Sequence, residues 1–154
     1  MNKREFNTKR IIIIAVSWLL AVICAAVIFK LSGQSGNESQ ELSDEVNSWL
    51  SLFLGKLLDI GFVRKGAHFF EYCGLSLLIF NAFYQTFGRF RPLATLLTTL
   101  LYSVSDEIHQ YFVPERACRL FDVFVDFLGA LTGLVICMAL ITLCKRIKER
   151  MGKK

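Results

Sequence analysis

Nineteen consecutive residues, Ile11–Phe29 (IIIIAVSWLLAVICAAVIF), carry no charge and a single hydroxyl, Ser17. As a helix rising about 1.5 Å per residue they span roughly 28 Å, against a bilayer hydrocarbon core of about 30 Å. A secretory leader is the competing reading of an apolar run near an N-terminus. This run exceeds the usual leader core of about 7–15 residues, and Lys30 closes it without a small-x-small cleavage site. An uncleaved transmembrane helix is therefore expected.

The rest of the chain agrees. Hydrophobic residues make up 54% of the 154 before the 10 glycines are counted, and mean hydropathy is +0.47. That excludes a disordered chain, and the length excludes a large multidomain enzyme. Three weaker apolar runs follow, Gly66–Phe87, Pro92–Val113 and Leu120–Cys144. Each is long enough to cross. None alternates like a transmembrane strand, so helices are expected.

Charge placement orients these spans. Lys3, Arg4, Lys9 and Arg10 precede the first, Arg89 and Arg91 lie between the second and third, and Lys145, Arg146, Lys148, Arg150, Lys153 and Lys154 follow the last. The opposite loops hold Lys30, Lys56, Arg64, Lys65, Arg116 and Arg119, mixed with acids. The excess of cations on one side places both termini in the cytoplasm. The expected fold is all-α: an integral membrane four-helix bundle with spans near 11–29, 66–87, 92–113 and 120–144, in one domain over 1–154. The basic C-terminal tail would meet anionic inner-leaflet lipid.

Between the first two spans, Ser32–Ser39 reads as a loop. Leu42, Val46, Trp49, Leu50, Phe53, Leu54, Leu57 and Leu58 then recur at helical spacing. This predicts an extracytoplasmic amphipathic helix near 42–60, with Ser43 as N-cap and Gly61 as stop. It would lie on the outer leaflet or pack on the bundle mouth. Five cysteines form no disulfide framework or CxxC pair; four fall within spans and Cys118 stands alone in a loop. No structural zinc site and no cofactor is expected.

The ionisable residues of the spans share one depth. His68 and Glu71 fall near the outer start of the second span, Asp106, Glu107, His109 and Gln110 near the outer end of the third, and Asp122 and Asp126 near the outer start of the fourth. A charge at mid-span costs about 2.5–3.5 kcal/mol and less towards the interface. Five carboxylates call for partners, and Arg64, Lys65, Arg116, Arg119 and the two imidazoles could supply a paired network. Helical spacing puts Lys65, His68, Glu71 or Tyr72, and Leu75 on one face of the second span. On the third it groups Tyr102 with Ser105 or Asp106 and His109 or Gln110, with Glu107 about 100° away. On the fourth, Asp122, Asp126, Gly129 and Gly133 form a stripe, and Gly129–Gly133 fits the GxxxG spacing that permits close helix approach. Polar residues of this kind can serve only to orient helices. Seven or more at one level point instead to an outward-open polar pocket: Lys65, His68, Glu71, Tyr72, Asp106, Glu107, His109, Gln110, Arg116, Asp122 and Asp126.

Three segments resemble the VanZ-like membrane family: Ser32-Gly33-Gln34 with Ser39 and Leu42-Ser43; Lys65-Gly66-Ala67-His68-Phe69 with Glu71-Tyr72 and Leu75; and Ser105-Asp106-Glu107-Ile108-His109-Gln110-Tyr111-Phe112-Val113-Pro114 with Arg116, Asp122, Asp126, Gly129 and Gly133. Similar proteins often carry Gly between the Pro and Arg and Ser-Gly after it, where this chain has Glu115 and Ala117-Cys118. Asp126 stands where some branches have Asn. The resemblance implies a small four-span protein of the bacterial cytoplasmic membrane. The founding member is linked to resistance to teicoplanin, a lipoglycopeptide that acts outside the membrane.

Two functions of different kinds fit. In the first, the pocket binds the polar part of an amphiphile, a lipid or a lipoglycopeptide, with Lys65, Arg116 and Arg119 meeting anionic groups and Asp122 and Asp126 meeting amines or sugar hydroxyls. In the second, an intramembrane hydrolase or transferase works on a lipid-linked envelope substrate, with Glu71, Glu107 and His109 as acid–base candidates. A metal version would use His68, His109 and a carboxylate. Against catalysis, HExxH is missing, Asp106-x-x-His109 is a weak ligand signal, and no Ser has a base beside it. A structural partner of a cell-wall enzyme or sensor is a third reading, and neither a protein partner nor a homo-oligomer is specified. Nucleic acid is not an expected partner, since topology accounts for the basic residues.

Overall fold

The architecture is taken from a computed structural model in which the described residues are 3–55, 58–116 and 118–152. Lys56, Leu57, Ala117, Lys153 and Lys154, invoked above, lie outside them. The fold is all-helical, as the composition predicts. Among the described residues there are five helices, α1 (Lys3–Ser32), α2 (Gly36–Leu54), α3 (Ile60–Phe87), α4 (Pro92–Tyr111) and α5 (Leu120–Met151), and no strand. Two stretches, Asn7–Ser32 and Leu120–Met151, are long and apolar enough to cross a membrane.

The large apolar side chains of α1 point outward nearly all round, including Ile11, Leu19, Val22 and Phe29. Its inward stripe is Ser17, Ala21, Ile28 and Ser32, flanked by Cys24 and Ala25. Small residues on that stripe let α1 approach α3, the central helix, which packs against all four others. The pairing is antiparallel: Asn81 Nδ2 donates to Ser17 Oγ at 3.1 Å, and Trp18 Nε1 donates to Thr86 Oγ1 at 3.0 Å. Tyr102 of α4 donates to the Ala25 carbonyl at 2.5 Å.

The helix α4 is inside out for a water-soluble protein. Thr95, Thr99, Ser103, Asp106 and Gln110 are buried, while Leu93, Leu97, Leu101, Val104 and Ile108 are exposed. The buried threonines donate back to Arg91 O and Thr95 O, so their hydroxyls are satisfied within the helix. The helix therefore carries its polar face inward and its apolar face outward. At the α3–α5 contact, an added Cβ on Gly129 would fall on the Phe69 carbonyl, and one on Gly133 on the Cys73 carbonyl. Here the GxxxG spacing has a steric reason: only glycine lets the two backbones meet.

The outer helix departs from its predicted limits. It begins at Gly36 because Ser35 and Glu38 form a capping box, with Glu38 N donating to Ser35 Oγ at 3.3 Å and Ser35 N to Glu38 Oε2 at 2.9 Å. Ser43, expected as the N-cap, instead donates to Ser39 O inside the helix. The stop is Gly55 at φ 67°, not Gly61. Gly61 belongs to α3, which starts at Ile60 rather than Gly66 because Asp59 accepts from Phe62 N. Thus α2 buries Ser39, Ser43 and Asn47 and leaves Leu42, Val46, Trp49, Leu50 and Phe53 exposed. Asn47 fastens the far end, donating to Leu58 O at 2.7 Å and accepting from Leu58 N at 2.9 Å. At the near end Gly36 N donates to Pro114 O at 3.1 Å.

Candidate functional site

The C-terminal ends of α1 and α4 and the N-terminal ends of α3 and α5 converge, and the polar residues collect there. On α4 the helical spacing resolves in favour of Asp106 and Gln110, both buried; Ser105 is exposed and donates to Tyr102 O. Asp106 Oδ2 accepts from Ser32 Oγ at 2.8 Å and Gln110 Nε2 at 3.1 Å, and Tyr72 lies beside it. Asp126 Oδ2 accepts from Ser103 Oγ at 2.7 Å. Its Oδ1 faces His68 Nδ1 at 3.7 Å, and Glu71 Oε2 stands 3.9 Å from the same nitrogen.

Two candidates face elsewhere. His109 stacks on Phe29 of α1, centroids 4.3 Å apart, and packs near Gly33, away from the His68 group. Glu107 turns towards the α4–α5 loop, where Oε2 accepts from Arg119 N at 2.8 Å. Among the described residues, no group of three His, Cys, Asp or Glu is arranged to hold a metal ion.

Of the cations expected to pair with carboxylates, the His68 imidazole does so, whereas, among the described residues, Arg64, Lys65, Arg116 and Arg119 do not. Among the described residues of this end, the only ion pairs within 4.0 Å are those of His68. Serine, glutamine and backbone donors hold the carboxylates instead, which satisfies them at short reach without burying a long cationic chain. The cations sit at the rim. Lys65 Nζ lies 4.9 Å over the Phe121 ring. Arg116 donates from Nη2 to Leu31 O at 3.4 Å, at the negative end of α1, and its Nε is buried without a partner. Burial, with Arg64 nearby, holds the Arg116 guanidinium below its ordinary value, opposed by Asp106, Glu71 and Glu107.

Two cavities open here. The larger, about 430 Å³, is lined by Gly61, Arg64, Lys65, His68, Glu115, Arg116, Arg119 and Asp122. The smaller, about 90 Å³, is a cleft under α2 with Leu42 and Val46 on one wall and Val63 and Ala67 on the other, joined by Ser39, Ser43 and Glu71. They share Arg64, His68 and Arg116. So Lys65, His68, Arg116 and Asp122 line the larger space and Glu71 the smaller, while Tyr72, Asp106, Gln110 and Asp126 are buried. Buried oxygens of Asp106, Glu107 and Asp126, and His68 Nδ1, are left without a hydrogen-bond partner among the described residues. Leaving such an atom unpaired costs about 1–3 kcal/mol, so these groups are suited to water or a ligand.

The pocket expected from the sequence left out Ser32, which entered only through the family resemblance, and Ser103, the hydroxyls that hold the two buried aspartates, as well as the apolar cleft walls. The signal for Ser103 was present: Thr95, Thr99 and Ser103 recur every four residues opposite Leu93, Leu97 and Leu101. A family model described as VanZ/LLP1 matches residues 17–143. No curated protein and no solved structure matches the chain.

Proposed function

The chain belongs to the VanZ/LLP1 family, and from that premise we propose that it is a four-span protein of the bacterial cytoplasmic membrane that binds an amphiphile at the outer leaflet. Both termini lie in the cytoplasm, so the polar end of the bundle faces outward. The exposed leucines of α4 and the two long apolar helices support a bilayer as the surroundings. The observation that carries the reading is the pair of joined cavities, one edged by cations and one walled by aliphatic side chains, which share Arg64, His68 and Arg116. A polar head and an apolar tail need those two environments side by side.

The family resemblance makes a lipoglycopeptide such as teicoplanin the first amphiphile to test. A susceptible host expressing the chain should tolerate more teicoplanin, and Arg116→Ala or Asp106→Ala should abolish that gain at equal membrane abundance. Unchanged tolerance in both variants would overturn the proposal.

One observation favours a second reading. The His68 imidazole stands between Glu71 and Asp126, an arrangement able to move protons in an intramembrane hydrolase or transferase. Glu71→Gln would then stop turnover of a lipid-linked substrate while leaving its binding intact.

A further inference from the structure

The reading above leaves open which amphiphile head the site selects. Charge narrows it. The larger cavity is edged by Arg64, Lys65, Arg116 and Arg119 against only Glu115 and Asp122. Among the described residues none of those four cations has a carboxylate within 4.0 Å, and Arg116 Nε is buried without a partner. Two excess positive charges, three of the four cations being forked guanidinium groups, match a phosphate better than an amine or a neutral sugar.

Shape narrows it further. At Arg64, His68 and Arg116 the cavity continues into the cleft between α2 and α3. Short side chains, Ser39 and Ser43 on α2 and Ala67 on α3, line that cleft with Leu42, Val46 and Val63. From Leu42 and Val46 the apolar face of α2 runs on to Trp49, Leu50 and Phe53, all exposed. A chain leaving the cleft therefore passes along a surface suited to acyl chains.

We infer that the two cavities are one site for a phosphate-bearing lipid. Arg64, Lys65, Arg116 and Arg119 take the phosphate, and the acyl chain leaves sideways between α2 and α3. This rests on the amphiphile reading and adds the head-group class and the exit route.

Calorimetry on the full chain in maltoside micelles tests it with three probes: a single-chain phosphatidic acid, the monoacylglycerol of the same chain, and inorganic phosphate. The phosphatidic acid should bind at least tenfold more tightly than either of the others. Arg116→Gln and the rim variant Arg119→Gln should each weaken it severalfold or more, and Ala67→Phe should weaken it by narrowing the cleft. Matching helical content and elution volume would show that these variants fold. Equal binding of the monoacylglycerol would overturn the phosphate assignment and leave the amphiphile reading standing. Equal binding of inorganic phosphate would overturn the exit route. No binding by either lipid would overturn both.

Discussion

At one end of the long helices the interior holds Trp18, Ile79, Phe80, Ala82 and Phe83; at the other it holds Ser32, His68, Tyr72, Asp106, Gln110 and Asp126. The aromatic end closes its polar atoms in pairs: Trp18 with Thr86, Asn81 with Ser17, and Gln85 with Asn81. Its cations lie on rings, Arg91 over Phe87 and Lys145 over Phe90, although Arg91 Nε is unpaired. The polar end instead leaves His68 Nδ1 and Arg116 Nε unmatched beside open space, and oxygens of Asp106, Glu107 and Asp126 unmatched in the interior behind them. Fuller pairing is how a protein builds rigidity, and several unmatched polar atoms gathered at one end mark where something else binds. Stability should therefore reside at the first end and ligand response at the second.

The strongest way to break this comparison is Phe80→Ala. Phe80 is wholly buried, and its loss should cost about 3–5 kcal/mol, or on the order of 10 °C in Tm by thermal unfolding in detergent. The surviving folded fraction should still bind lipid with unchanged affinity. Gly133→Ala comes next. Its new methyl meets the Cys73 carbonyl and should cost about 1–3 kcal/mol in the same assay. Affinity falling in step with stability in these two variants would mean that the ends are not separable.

Asp106→Asn sharpens the other half. The amide oxygen can still accept from Ser32, so stability should change by about 1 kcal/mol or less while teicoplanin tolerance is lost. The smallest effect is expected at Glu115, whose φ of 61° is the only left-handed non-glycine backbone among the described residues. Glu115→Gly relieves a strain of roughly 1–2 kcal/mol, offset by about 0.5–1 kcal/mol of chain entropy. Tm should rise by a few degrees, and removing a carboxylate from the cationic cavity should tighten phosphate-lipid binding.

The legible part of this architecture was what hydrocarbon and helical period dictate. Ile11–Phe29 declared a membrane-length helix, and His68, Asp106 and Asp126 lay at one depth by counting alone. Period could not choose between Asp106 with Gln110 and Ser105 with His109, because adjacent positions differ by only 100° and the neighbouring helix decides. It also misassigned Ser43, since a stronger cap lay upstream in Ser35-x-x-Glu38. The predicted ion pairs rested on a count of charges, which carries no information on side-chain reach.

Anchored at Gly36 and again at Asn47, α2 leaves Trp49 and Phe53 exposed; in the proposed orientation they would meet acyl chains and hold the helix at a fixed depth with the site beside it. On that proposal, changes in bilayer thickness would be absorbed at the far terminus of α5, where Lys145, Lys148 and Arg150 have stems long enough to snorkel. A spin label at Ser48 should report the same immersion in short-chain and long-chain lipids, while one at Lys148 drifts with chain length.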